Sequence, residues 1–69
     1  GPSAEEQKAK CFANEALIRT EMELFKADSG LDARLKNVLD ATHAVCPSGG
    51  TYSYDPATGI ADCSVHGHP

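Results

Sequence analysis

Residues 46–54 read Cys46-Pro47-Ser48-Gly49-Gly50-Thr51-Tyr52-Ser53-Tyr54, and the hydrophobic pattern of the chain changes here. A helical period of about 3.6 residues gives way to the period of about 2 that is typical of a β-strand. A second alternating run covers residues 60–65, and Pro56 and Gly59 between the runs are turn residues. The pattern predicts a β-hairpin within residues 46–66. Because an isolated hairpin is marginal in water, it must pack on other elements or be cross-linked.

A long helix is predicted upstream, from Ala4 to Ala27, because this segment lacks Gly and Pro and is rich in strong helix formers. At about 1.5 Å per residue it would be roughly 36 Å long, whereas a compact chain of this size is only ~28 Å across. We therefore expect its N-terminal part to protrude. The apolar residues of the segment lie mainly in its second half, and we expect them to pack in the core, where they hold the rest of the chain on the helix, or against other subunits: Cys11, Leu17, Ile18, Met22, Leu24 and Phe25.

A second, shorter helix is predicted over residues 30–44, with Ser29 and Asp32 spaced as a capping box. Leu31, Leu35 and Val38 fall on one amphipathic face that should pack on the first helix. The predicted architecture is a single α+β domain over residues 4–69, divided into helical segments 4–28 and 30–44 and the hairpin region 46–66. Residues 1–3, which begin Gly-Pro, resemble a protease-cleavage scar.

The composition limits what this chain can do. A chain of 69 residues buries only ~60% of its unfolded surface, so a domain of this size commonly needs a disulfide or a metal to stay folded. Its formal charge of −4 argues against direct binding to nucleic acid. No third group is placed to orient a Cys–His nucleophile pair, and so small a core leaves little room for a cleft, so we predict that it is not an enzyme.

Three cysteines are the most informative residues in the composition. Closure of the hairpin brings the neighbourhoods of Cys46 and Cys63 together, which favours a disulfide between them, worth ~3 kcal/mol in the chain-entropy model. The odd count then leaves Cys11 as a buried thiol on the core face or as a link to another chain. The other single pairings also remain open from the count alone.

The alternative to a disulfide is a zinc ion. His43-x-x-Cys46 and Cys63-x-x-His66 are two ligand pairs with the short spacing of zinc sites, and His68 is a spare ligand. Two sulfur and two nitrogen donors would suit tetrahedral Zn²⁺. Under the disulfide hypothesis, by contrast, no cofactor is expected.

The polar residues of the first helix are predicted to lie on the surface of the subunit. The acidic side chains in its second half are predicted to form a solvated face: Glu15, Glu21 and Glu23. Asn14 and Glu21 interrupt the apolar arc, which would suit polar contacts between packed subunits.

The motifs together resemble the soluble part of a type IV pilin-like protein, of the family that includes type IV pilins and type II secretion pseudopilins. The resemblance rests on a helix that carries Lys10-Cys11-Phe12-Ala13-Asn14-Glu15-Ala16-Leu17-Ile18, on residues 46–54, and on a closing Cys63-Ser64-Val65-His66-Gly67. The most specific of these elements are Cys-Pro-x-Gly-Gly-x-Tyr and Cys-Ser-x-His-Gly.

This resemblance implies a structural subunit of a pilus-like filament that acts by helical self-assembly. Its partners would be other copies of itself, other pilins and the assembly machinery at the bacterial inner membrane. In the family, the first helix has an additional apolar half that anchors the subunit in the membrane before assembly, and the filament lies at the cell surface or in the periplasm. The resemblance also matches Cys46 and Cys63 to the disulfide that bounds the C-terminal region. It leaves open whether the filament is a pilus, a secretion pseudopilus or a DNA-uptake pilus.

Overall fold

The computed structural model describes all 69 residues and contains two helices followed by one hairpin. Helix α1 covers Ala4–Ala27 and helix α2 covers Leu35–Thr42. Strands β1, Tyr52–Asp55, and β2, Ile60–Cys63, form a two-stranded antiparallel sheet. The predicted α+β class is therefore confirmed.

Helix α1 has the predicted bounds, and local capping explains where it begins. The Ser3 hydroxyl accepts a hydrogen bond from the Glu6 N–H at 3.1 Å, and the Glu6 carboxylate accepts one from the Ser3 N–H at 3.3 Å. This capping box satisfies two N–H groups that the first helical turn leaves unpaired. The helix ends at Asp28, whose N–H bonds to the Phe25 carbonyl.

Helix α2 is shorter than predicted, because residues 28–34 form turns instead of a first helical turn. The Asp28 carboxylate accepts a hydrogen bond from the Gly30 N–H at 2.9 Å, and the Asp32 carboxylate is held by Arg34. The Asp28 carboxylate thus gives the backbone a hydrogen bond that competes with helix formation, and the Asp32 carboxylate bonds to Arg34 instead of capping a helix. Arg34, with no side-chain cap, precedes α2, and His43 ends it in the left-handed conformation with φ 55°.

The hairpin forms where it is predicted, with Tyr52 opposite Cys63 and Asp55 opposite Ile60. Its turn is closed by a 2.7 Å hydrogen bond from the Gly59 N–H to the Asp55 carbonyl, and Gly59 has the positive φ of 73° that favours glycine there. Strand β2 is shorter than the predicted run to residue 65, since the chain turns away after Cys63.

The core is small and lies where one face of α1 meets α2 and the hairpin. Eight apolar residues are buried in it: Cys11, Ile18, Met22, Val38, Cys46, Tyr52, Ala61 and Cys63. Phe25 is half-buried against this cluster. Of the predicted packing residues, Leu17 and Leu24 lie outside this core, because their side chains are 41% and 56% exposed on the other side of α1.

The N-terminal part of α1 extends away from the core. Among residues 4–10 every side chain is exposed except Gln7, which is half-buried. The molecule is accordingly elongated, with principal extents of 41 × 22 × 15 Å. Neither helix combines the length and the apolar character needed to cross a membrane.

Candidate metal centre

Three thiols and one imidazole meet at the junction of α1 and the hairpin. They belong to Cys11 on α1, Cys46 in the loop before β1, Cys63 at the end of β2, and His66 in the turn that follows. Their ligand atoms all lie within 4.8 Å of one another, and the three cysteines are buried. This clustering is compatible with a metal site.

The predicted disulfide is not borne out. The Sγ atoms of Cys46 and Cys63 lie 3.7 Å apart, far from the ~2.05 Å of an S–S bond. All three cysteines are free thiols in the structure. The imidazole Nδ1 of His66 lies 3.5 Å from the Cys46 sulfur and 3.8 Å from the Cys63 sulfur, so the two thiols share a third neighbour instead of a bond.

A tight turn follows Cys46 and sets the surroundings of its sulfur. The Gly49 N–H bonds to the Cys46 carbonyl at 3.0 Å, and Gly49 has a positive φ of 80°. The backbone N–H groups of Ser48 and Gly50 belong to this turn and favour the ionised form of the Cys46 thiol. Burial acts to raise the pKa of the Cys46 thiol, but these N–H groups and the neighbouring thiols outweigh it, so that the pKa is lowered.

A second turn, after Cys63, brings a backbone N–H to the sulfur of that cysteine. Its N–H and carbonyl form reciprocal hydrogen bonds with Gly67, at 3.0 and 2.8 Å. The Val65 N–H consequently points at the Cys63 sulfur, 3.4 Å away. The turn therefore supplies a backbone donor next to the Cys63 sulfur.

Gly50 lets the backbone pass directly under the two sulfurs. A Cβ atom at this position would lie 2.4 Å from the Cys63 Sγ and 3.2 Å from the Cys46 Sγ. No side chain fits in that space, which explains why the chain needs a glycine here although its φ is not positive.

Cys11 is fully buried and reaches the centre from α1. The Tyr52 hydroxyl donates to its Sγ at 3.4 Å, and the Asn14 amide donates to the Tyr52 oxygen and to the Val45 carbonyl, each at 3.0 Å. Burial raises the pKa of the Cys11 thiol to about 12. Asn14, expected to contact other subunits, is therefore an internal residue that holds the loop before β1 on the helix.

Glu15 is also fully buried, contrary to the predicted solvated face. The Cys11 thiol lies 3.8 Å from one carboxyl oxygen, Oε2, and the other, Oε1, has no hydrogen-bond partner. Burial, together with the negative charge of Asp62, raises the pKa of Glu15. The signal in the sequence was the spacing, because Glu15 follows Cys11 by four residues and precedes Ile18 by three on the core face.

The ligand set predicted from spacing is only partly assembled. Cys46, Cys63 and His66 meet, but His43 is exposed at the end of α2 and is not part of the cluster. His68 pairs with Asp62 at 2.8 Å on the surface. The fourth member of the cluster is Cys11, which spacing alone could not connect with a hairpin 35 residues away along the chain.

Comparison of this chain with protein-family models, with curated proteins and with solved structures gives no match. The function must therefore be argued from the site and the shape of the molecule.

The first prediction concerns the close approach at Gly50. In Gly50→Ala the new methyl group would overlap the Cys63 sulfur, so the sulfurs must separate. We expect a loss of about 1–3 kcal/mol in the free energy of unfolding, measured by urea denaturation under reducing conditions.

Gly30→Ala is the matched control, because its Cβ would approach only the flexible side chain of Asp28 and its φ is not positive. It should change stability by no more than about 1 kcal/mol. Equal effects of the two substitutions would contradict the tight packing of the sulfurs on Gly50.

The second prediction concerns the buried carboxyl of Glu15. A carboxyl whose pKa is raised on folding costs stability as the pH rises from below its unfolded-state pKa, ~4.3, through its folded-state pKa. Glu15→Gln keeps the shape without the charge. In the metal-free, reduced protein it should be more stable than the unsubstituted chain by at least about 1 kcal/mol at pH 7, with a smaller difference near pH 4.

Urea denaturation across this pH range measures the difference. Glu21→Gln, on the same helix but not buried, is the control and should show no such pH dependence. A Glu15→Gln difference that is constant with pH would show that folding does not raise the pKa of Glu15 and would contradict the prediction.

Proposed function

We propose that this chain is a small structural domain whose fold is closed by one zinc ion, bound by Cys11, Cys46, Cys63 and His66. The observation that carries the proposal is the spacing of the four ligand atoms. At Zn–S distances of ~2.3 Å and Zn–N distances of ~2.0–2.1 Å, a tetrahedral site has edges of about 3.8 Å between sulfurs and about 3.6 Å between sulfur and nitrogen. The Cys46–Cys63 edge is 3.7 Å, and the edges from His66 are 3.5 and 3.8 Å.

The chemistry of the donors favours zinc over harder cations. Three sulfurs and one imidazole nitrogen suit Zn²⁺, whereas Ca²⁺ and Mg²⁺ prefer oxygen ligands. The lowered pKa of the Cys46 thiol favours the thiolate that zinc requires, and the Val65 N–H directed at the Cys63 sulfur would remain as an outer hydrogen bond to a zinc ligand. Gly50 leaves the space in which the two sulfurs converge.

The proposed role of the metal is structural. Four protein ligands complete a tetrahedron and leave no position for a substrate or a water molecule, as in structural zinc sites. The ligands come from α1, from the loop before β1 and from the end of the hairpin, so that one ion would join all parts of the fold except α2. For a domain with only eight buried apolar residues, such a link would supply much of the folding free energy.

The third prediction tests this site. Native mass spectrometry of the reduced chain should show one zinc per molecule, and a chelator should lower its thermal stability sharply, because metal-binding energy is folding energy. Cys11→Ser and His66→Ala should each weaken zinc binding at least tenfold in a competition titration with a chromophoric chelator.

His43→Asn is the control, since His43 is exposed and Asn tolerates its left-handed conformation. It should bind zinc like the unsubstituted chain. A metal-free chain with a Cys46–Cys63 disulfide, or equal affinity in Cys11→Ser, would overturn the proposed site and return the choice to the disulfide.

A second candidate function is a subunit of a pilus-like filament, compatible with the first. The observation that favours it is a second, unused face of α1. Four uncharged residues on this face are exposed and follow the i, i+4, i+7, i+11 spacing of a helix–helix seam: Ala13, Leu17, Thr20 and Leu24. The helix thus has one face for its own core and another that is free to pack on other subunits.

The motif resemblance gives this free face a role. In a pilin-like filament, α1 would run on into an apolar half that anchors the subunit in the membrane before assembly, and the free face would pack on neighbouring pilins. The extended N-terminal part of α1 supports this arrangement, because residues 4–10 make few contacts with the core. The compartment would be the bacterial cell surface or periplasm.

The fourth prediction tests the free face in the intact gene product, expressed in its native host. Immunogold electron microscopy should label surface filaments, and Leu17→Glu or Leu24→Glu should reduce them at least tenfold, because a charge would be buried between helices. Leu31→Glu, at a site of similar exposure (47%) off the helix, is the control and should leave filaments intact. Absence of labelled filaments from the unsubstituted strain would contradict the proposal.

A further inference from the structure

We propose that Gln7 and Ser48 select the tautomer of His66 that presents its Nδ1 lone pair to the three cysteine sulfurs. They are positioning residues for the centre: Ser48 reaches the sulfurs through His66, and Gln7 reaches them through Ser48 and His66. The inference deepens the proposed zinc site and rests on it for the role of His66 as a ligand.

The three side chains form one continuous chain of hydrogen bonds. The Ser48 Oγ lies 2.6 Å from the Gln7 Oε1 and 3.3 Å from the His66 Nε2. On the other side of the ring, the His66 Nδ1 faces the sulfurs of Cys46 and Cys63. Each ring nitrogen therefore has a different and fixed neighbour.

The direction of every bond follows from the first one. A separation of 2.6 Å is typical of an O–H···O bond and shorter than N–H···O bonds, so the Gln7 amide oxygen faces Ser48. A carbonyl oxygen can only accept, and the single hydroxyl hydrogen of Ser48 is therefore donated to Gln7. What remains on the Ser48 oxygen is a lone pair, which can only accept from His66.

The tautomer of His66 is fixed by elimination. Because Ser48 accepts, the His66 Nε2 must carry the hydrogen, and in the neutral ring Nδ1 is then unprotonated. Its lone pair points at the sulfurs, where a metal ion would sit. The ring would thus bind metal without first moving a proton between its nitrogens, which is the usual purpose of an outer hydrogen bond to a ligating histidine.

The same bonds connect the centre with the extended part of α1. Gln7 is the one half-buried side chain among residues 4–10, and it lies about one turn before Cys11. The position of this part of the helix therefore affects the orientation of His66. Conversely, metal binding at His66 should fix the helix at Gln7.

The tautomer is directly measurable without any metal. In the reduced, metal-free chain at pH 8, ¹⁵N-edited NMR of the imidazole should show His66 with its hydrogen on Nε2. Ser48→Ala should shift the ring toward a mixture of tautomers, because the acceptor is lost. Ser48→Thr keeps the hydroxyl and should retain the Nε2–H form.

Zinc affinity gives the second measurement. Ser48→Ala and Gln7→Ala should each lower the affinity by about 10–100-fold, the typical effect of losing an outer-shell partner. Gln7→Glu keeps an accepting oxygen and should restore most of it. Ser53→Ala, exposed on β1, is the control and should bind zinc like the unsubstituted chain.

The two measurements separate the inference from the site itself. A metal-free chain with His66 as the Nδ1–H tautomer, or unchanged affinity in both alanine variants, overturns the role of Gln7 and Ser48 while zinc binding stands. The opposite result is also possible: the unsubstituted chain has the expected tautomer and Ser48→Ala loses it, but the unsubstituted chain binds no zinc. That result supports the positioning network and overturns the zinc site.

Discussion

The convergence of three sulfurs and one imidazole above Gly50 is the constraint on which the rest of the structure depends. Eight buried apolar residues make a small core for a chain of 69 residues, and three of those eight are the cysteines of the centre itself. The centre therefore forms part of the core and also ties it together. Whatever holds the four ligand atoms in place also holds the hairpin on α1.

Two short turns arrange this convergence, and each residue type in them has a physical reason. After Cys46, glycine at position 49 permits a positive φ, and glycine at position 50 leaves room for the sulfurs. After Cys63, Gly67 closes a turn that places His66 beside the sulfurs. The glycine-containing turns after Cys46 and Cys63, which in the sequence resemble simple strand boundaries, therefore form the scaffold of the site.

Local patterns could be predicted from the sequence, and long-range contacts could not. The bounds of α1 follow from composition and a capping box, and the hairpin follows from alternation and its turn residues. The early residues of α2 were predicted wrongly because acidic side chains in the preceding turn found other partners. The burial of Glu15 follows from its spacing on the core face, but the arrival of Cys11 at the hairpin is not visible without the packing of α1, since it depends on residues more than 30 positions away.

The odd number of cysteines distinguishes a disulfide from a zinc ion as the link that closes the fold, because only zinc would use all three sulfurs. A Cys46–Cys63 disulfide would link two points of the hairpin region and leave α1 attached by packing alone, with the buried Cys11 thiol unused. A zinc ion would use all three sulfurs and attach α1 directly through Cys11. In the proposed filament, a force on α1 would therefore pass into the domain through Cys11, a path that the disulfide alone would not provide.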